Sequence, residues 1–276
     1  MNTVTILLAT YNSSKFLREQ LDSLFQQTFS EWTLVIRDDG SSDETIAIIK
    51  EFQQKFPNIL LLEDTNKNIG ASESFMRLLQ KTDSSYYFFC DHDDIWLPNK
   101  VKDSLDLMKK TELGNMMKPV IIHSDLEVVD KNLNIISNSF WKSSGIKPNY
   151  LENKNLIQVF NCVTGCTMLF NKTVKELAFP YPASIPMHDW WLAIVTLRNN
   201  GIIRHIDQPT ILYRQHGSNE VGARMINFSY FIKKLRTISN TLEGHKSIRN
   251  FLQDIKGINF LQFYSYKIFY TIIRKI

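Results

Sequence analysis

Short apolar runs alternate with helical repeats over the first 123 residues, and this alternation constrains the fold more than any other feature. Val4 to Ala9 is continuous, apolar and rich in β-branched residues, as a strand buried on both faces must be. Phe16, Leu17, Leu21, Leu24 and Phe25 then recur at helical spacing behind Ser13 and Ser14, either of which suits a cap. Further strands are predicted at 32–36, 59–62, 86–90 and 120–123. Helices are predicted between them, from Asp43, over Ser72–Leu79 and over Asn99–Lys109. Such alternation predicts an α/β chain with right-handed crossovers and a mostly parallel central sheet flanked by helices.

In open sheets of this kind a ligand lies beyond the carboxyl ends of the strands. The residues just past the predicted strands are Thr10-Tyr11-Asn12, Asp38-Asp39-Gly40-Ser41, Asn66 to Gly70 with Asn68 among them, Asp91-His92-Asp93-Asp94, and Ser124-Asp125. They are polar and acidic, and the topology predicts that they share one rim. The second half is less regular. Phe140–Tyr150 reads as a loop, Gly165–Asn171 as a strand, and His188–Asn199 as a helix with Trp190, Trp191, Ile194 and Val195 inward. Ile211–Arg214 reads as a short strand, and Asn227–Ile276 as helical, aromatic and basic.

Composition narrows the class. Hydrophobic residues make up 43% and charged residues 22%, as in ordinary globular chains. The net charge of +4 is unevenly placed: residues from Met225 onward carry +7, leaving about −3 on the rest. A neutral-to-acidic body with a basic end does not fit a nucleic-acid partner. Three irregularly spaced cysteines form neither a disulfide framework nor a zinc site. The first residues carry no basic region followed by a long apolar stretch, and nowhere do 18 apolar residues run together. The expectation is a cytoplasmic chain without a membrane span.

Three carboxylates in Asp91-His92-Asp93-Asp94 repel one another, and a hard divalent cation bound through oxygen relieves that repulsion. A solvated turn that caps the following helix is the other reading, and it fits Asp94 as well as metal binding does. Within Asp38-Asp39-Gly40-Ser41-Ser42-Asp43, Asp43 suits a helix cap, while a carboxylate at Asp38 or Asp39 suits a pyrimidine N–H. Asp189 opens a helix, so it is either a first-turn acid favoured by the dipole or a general base. The adjoining Trp190 and Trp191 are partly core, yet one ring offers a sugar a stacking face. His216 suits a metal and Arg214 a diphosphate.

Three motifs in order then resemble a family 2 inverting glycosyltransferase of the GT-A fold: Val4 to Asn12, Asp38 to Asp43, and Asp91 to Trp96. The resemblance covers residues 1 to 222. Asn161 to Thr167, His188 to Trp191, and Tyr213 to Gly217 further resemble the rhamnosyltransferase branch acting on bacterial surface polysaccharides. It implies a catalytic domain over 1–224, with a nucleotide-binding half at 1–123 and an acceptor-binding half at 124–224, plus a helical C-terminal appendage at 225–276. Around the nucleotide it implies Thr10, Tyr11, Asn12, Asp38, Asp39, Asn68, Gly70 and Asp91. For Mg or Mn it implies Asp93, with Asp91 and His216. Asp189 matches the catalytic base. Donor and acceptor contacts are expected from Asp94, Trp96, Gly165, His188, Trp190, Trp191 and Arg214.

The reaction implied is one displacement from a nucleotide-sugar donor, dTDP-rhamnose first and a UDP-hexose second, to a saccharide acceptor. The Gln-x-x-Arg-Trp signature of processive synthases is missing, so addition of a single sugar is expected. The basic aromatic end suits either an anionic membrane surface, and with it a lipid-linked acceptor, or packing on the domain. A sugar-nucleotide nucleotidyltransferase would share the sheet and acidic site but carries a Gly-rich basic loop where Thr10-Tyr11-Asn12-Ser13 stands. A non-catalytic nucleotide- or carbohydrate-binding module would have no use for Asp189 as a base.

Overall fold

The structure, a computed structural model, describes residues 4–64, 68–115, 117–216 and 238–275. The expectations for Asn66, Lys67 and 217–237 lie outside the described residues. The first half follows the predicted alternation: β1 (Val4–Thr10), α1 (Leu17–Phe25), β2 (Thr33–Asp38), α2 (Thr45–Lys55), β3 (Ile59–Leu61), α3 (Ala71–Lys81) and β4 (Tyr86–Cys90). Then come β5 (Ile95–Trp96), α4 (Lys100–Glu112), β6 (Val120–Asp130), β7 (Ile135–Ser137), α5 (Phe140–Ser144) and α6 (Pro148–Leu151). The chain continues through β8 (Leu169–Asn171), α7 (Lys172–Ala178), α8 (His188–Arg198), β9 (Ile202–Gln215), α9 (Ile238–Asp254) and α10 (Phe260–Ile273).

All strands join one sheet in the order β3-β2-β1-β4-β8-β6-β9-β5, with β7 on β6. The β3-β2-β1-β4 part is parallel, as is β6 with β9, whereas β8 runs antiparallel to both β4 and β6. Strand parity sorts the core. Leu7, Ala9, Val35, Tyr87 and Phe89 face one layer with α3, α7, α8 and the C-terminal helices. Ile6, Leu8, Leu34, Ile36, Phe88 and Cys90 face the other with α1, α2 and α4. Continuous apolar runs were needed because both faces are covered.

The second half departs from the sequence reading in three places. Phe140–Tyr150 holds two short helices; Ser139 caps α5 through the Lys142 N–H, and Pro148 opens α6. Gly165–Thr167 is a 3-10 turn, so only Leu169–Asn171 pairs as a strand. β9 is 14 residues long rather than four, because Arg204 and His205 pair with Ile122 and His123 of β6 despite their polarity, and the strand continues past Asp207 and Gln208 through a register shift. Ser124 and Asp125 consequently sit inside β6 and not on the rim; Asp125 accepts from the Trp141 N–H (3.1 Å) and the Ser139 hydroxyl, anchoring α5. All three cysteines are buried and unpaired.

α8 ends at Asn199-Asn200-Gly201, where Asn200 takes a left-handed φ of 56° and the Gly201 N–H returns to the Thr196 carbonyl. A Cβ at Gly201 would lie 2.5 Å from the Pro119 carbonyl oxygen and 2.6 Å from that of Thr196. Both obstacles are backbone. Gly201→Ala is therefore expected to lower unfolding free energy by about 2 kcal/mol or more, read from the urea midpoint at constant slope.

Candidate active site

The nucleotide side is a set of loops fastened by their own side chains. Asp38 accepts from the Thr10 hydroxyl (2.8 Å), the Gly40 and Ser41 N–H groups and the Ser41 hydroxyl (2.6 Å). Asn12, at a left-handed φ of 46°, accepts from the Ser42 N–H (2.9 Å) and donates its own N–H to the Ser41 hydroxyl. Asp43 accepts from the Ser14 and Thr45 N–H groups, so it pins the loop to the start of α1 as well as to the first turn of α2. Asp39 accepts from Arg37 (2.6 Å) and from the Ile69 and Gly70 N–H groups, drawing the 68–70 loop against β2. Gly70 stands at φ 83°, a conformation that favours glycine. Asn68 is exposed beside it, and the Tyr11 ring, 48% exposed, stands out from the rim.

The acidic cluster is more deeply set than a solvated turn. Asp93 and Asp94 are buried, and Asp91 is half-buried. Burial, with the neighbouring Asp93 and Asp91 carboxylates, pushes the Asp94 carboxyl well above the usual carboxylate range. Asp94 accepts from the Arg214 N–H (3.1 Å), and its other oxygen is buried with no hydrogen-bond partner. It does not cap α4, which begins at Lys100. Ligand atoms of Asp91, Asp94 and Cys166 lie within 4.8 Å of one another, and His216 Nε2 is 2.6 Å from Asp93 Oδ2. Carboxylate oxygens crowded around an under-satisfied buried oxygen suit a hard divalent cation.

Trp96 and Arg214, both expected to contact ligand, are placed elsewhere. Trp96 is enclosed between Phe88 (5.4 Å) and the Lys100 ammonium (4.7 Å), so it is core and out of reach of a donor. Arg214 is buried: Nε donates to the Asp93 carbonyl (2.8 Å), Nη1 to the Lys131 carbonyl (3.1 Å) and Nη2 to Glu19, with Phe16 against its face (4.6 Å). It supports the acidic loop instead of presenting a cation to diphosphate. Lys100, which sequence reasoning missed, donates to the Thr167 carbonyl (3.1 Å) beneath the cluster, and burial brings its ammonium down to about 8. Its only sequence signal is a lysine in the first turn of an otherwise ordinary amphipathic helix.

Asp189 occupies a second, neutral pocket. Oδ2 accepts from the Gly165 N–H (2.9 Å); Oδ1 accepts from Asn161 Nδ2 (3.2 Å) and the Trp190 N–H (2.5 Å). Burial raises its carboxyl to about 6 against these stabilising bonds. A Cβ on Gly165 would lie 3.0 Å from His188 Nε2 and 3.5 Å from the Asp189 side chain. That glycine therefore admits the acid, not an incoming sugar. His188 is buried between Phe75 (4.4 Å) and Phe89 (4.8 Å), neither ring nitrogen has a partner, and burial lowers it to about 3. Trp191 is core, donating to the Ala178 carbonyl, while half-buried Trp190 donates to the Ile157 carbonyl.

With this geometry in hand, likeness to known proteins is informative. The family model described as glycosyl transferase family 2 matches residues 5–177. The dTDP-rhamnosyl transferase RfbG of Shigella flexneri is 31% identical over 242 residues, covering 84% of this chain and 79% of RfbG. The UDP-Glc:alpha-D-GlcNAc-diphosphoundecaprenol beta-1,3-glucosyltransferase WfgD of Escherichia coli is 26% identical over 201 residues, covering 72% of this chain and 71% of WfgD. Among solved structures, Staphylococcus aureus TarS 1–349 superposes with TM-score 0.59 at 18% identity, covering 77% of this chain. This chain spans 60% of that TarS chain. The mannosyltransferase PcManGT of Pyrobaculum calidifontis, in complex with GDP-Man and Mn2+, superposes with TM-score 0.57 at 16% identity, covering 80% of this chain and 58% of its own. Both likenesses speak to the fold.

Removing one partner from a buried ion-paired network leaves the rest uncompensated. Arg214→Met is expected to lower unfolding free energy by about 3 kcal/mol without any nucleotide present, measured by chemical denaturation. A variant as stable as the parent would return Arg214 to the ligand side.

Proposed function

We propose that this chain, which belongs to glycosyl transferase family 2 and has its GT-A fold, moves one sugar from a nucleotide-diphosphate donor to a hydroxyl of a saccharide acceptor with inversion. Glycosyl transfer from a sugar-nucleotide donor is the family's activity. The observation that carries the finer reading is Asp189, a buried carboxylate oriented by three N–H groups at the start of α8 and raised to about 6. It is a stronger base than a solvated carboxylate yet stays ionised at neutral pH. Asp189 takes the acceptor hydroxyl proton while that oxygen bonds to the anomeric carbon. The bond from that carbon to the diphosphate breaks on the opposite face.

Tyr11 supplies a stacking face to the base. Asp39 and Gly70 shape the groove, and Asn68 borders it. Asp93, Asp91 and His216 would hold Mg or Mn, His216 meeting Asp93 directly and Asp91 lying close to Asp94. When bound, the cation supplies positive charge to the departing diphosphate. dTDP-rhamnose is the favoured donor, on the likeness to RfbG, and a UDP-hexose is second, on the likeness to WfgD. The branch resemblance and these two relatives favour an acceptor in bacterial surface polysaccharide synthesis.

In a transfer assay with dTDP-rhamnose, Asp189→Asn is expected to lower kcat by about 10²- to 10⁴-fold. Because the base acts ionised, kcat/KM of the parent should rise with pH through an acid limb near 6 and then level off. Half-parental activity in Asp189→Asn, or no limb, would remove Asp189 from this role.

Among the described residues no helix is long and apolar enough to cross a membrane. α10 nevertheless has two faces. Phe263 and Tyr270 pack into the domain core, while Leu261 (75% exposed), Ile268 (63%) and Ile272 (57%) line one outer stripe at helical spacing. Asn259 caps the helix through a box with Gln262, and the helix carries no acidic residue. With the +7 charge from Met225 onward, this face suits peripheral contact with an anionic membrane bearing a lipid-linked acceptor. Replacing Leu261, Ile268 and Ile272 together by Ser should cut partitioning onto anionic vesicles by roughly tenfold or more in a sedimentation assay. Undiminished binding would assign the stripe to another occupant.

A further inference from the structure

Away from the acidic cluster, three more metal-type ligands meet. His123 and His205 are register partners on the parallel neighbours β6 and β9, so both rings leave the same face of the sheet side by side. Glu152, the residue that ends α6, reaches over them: its Oε1 is 3.2 Å from His123 Nε2 and 2.5 Å from His205 Nδ1. One nitrogen from each ring and a carboxylate oxygen lie within 4.8 Å of one another. The group is away from the acidic cluster, because His123 and Val129, the β6 partners of His205 and Arg214, stand six residues apart, about 20 Å of strand.

We propose that His123, Glu152 and His205 form a second site, for a divalent transition metal of the zinc type. Two imidazoles and a carboxylate suit zinc and its neighbours better than Mg, which the oxygen-rich acidic cluster suits. Ligand atoms around tetrahedral zinc stand about 3.3 Å apart. The His123 pair already has that spacing, and the His205 pair needs to open by less than one ångström as the metal replaces the bridging proton. His205 turns its other nitrogen toward Asp207, 3.5 Å away, the kind of outer carboxylate that orients a ligating ring. His123 is wholly buried, and its Nδ1 has no hydrogen-bond partner.

A cavity of about 580 Å³ lies alongside. Its wall includes Asp207 and Trp141, the Trp141 ring stands edge-on to both histidines at 5.5 Å, and the His205 and Glu152 side chains keep 13% and 10% of their surface exposed. Bound there, the ion ties β6, β9 and the end of α6 together.

The test equilibrates the whole chain with zinc sulfate, removes free ion by gel filtration, and measures retained zinc with the melting temperature. One zinc per chain is expected to survive in the parent and in Asp93→Asn, with a raised melting temperature. His205→Gln should lose at least roughly tenfold in affinity, and so should Glu152→Gln. Equal zinc retention in parent and His205→Gln, or none in the parent, overturns the site and leaves the trio as a hydrogen-bonded relay. The parent loaded with cobalt gives a check free of any folding defect. Intense tetrahedral absorption supports the assignment, and only weak octahedral absorption overturns it.

Discussion

Arg214 donates to the Asp93 carbonyl, the Lys131 carbonyl and the Glu19 carboxylate, and its own N–H reaches Asp94. Segments separated by up to 195 residues in sequence thereby meet at one guanidinium. The meeting is obligatory because three carboxylates placed at the end of β4 need compensation once they are partly buried. Arg214 stands to the side, its N–H on Asp94, and Lys100 stands below, bonded to the Thr167 carbonyl. The loop's shape is thus set by protein contacts before any ligand arrives, which lessens the reorganisation left for binding.

Acidic residues work here in two opposed environments. At Asp94 the dominant effect is burial, reinforced by repulsion from Asp93 and Asp91. Asp189 instead sits beside His188, which burial keeps neutral, and its raised carboxyl comes from burial alone. One is a cluster of like charges; the other is a single carboxylate held by neutral N–H donors. Separate elements deliver them: the end of β4 with the end of β9, and the start of α8.

Much of this was legible in the chain. The run Val4 to Ala9 and its equivalents declare doubly covered strands, and the acidic stretches after them mark the rim. β9 was legible only at its end, because a strand half-covered by α5 and α6 tolerates the polar residues 204–208 that break an apolar pattern. Residue type also left roles incomplete. Asp38 and Asn12 carry groups that suit a nucleotide, and in the structure they also fasten loop N–H groups and hydroxyls. Trp96 offers a ring that the fold encloses. A sequence lists donors and acceptors, whereas only three-dimensional placement reveals which are already satisfied.

The sorting of β1, β2 and β4 between two apolar layers also governs where this chain can gain or lose residues. Inserting or deleting one residue within β1 would exchange Leu7 and Ala9 with Ile6 and Leu8, and would rotate Thr10 away from Asp38. Core and rim would fail together. Length variation is consequently confined to connections outside the sheet, such as the stretch between α4 and β6 with its exposed Leu113 and Met117. The three parallel strands that aim the loops form the part of the molecule least open to evolutionary tinkering by insertion.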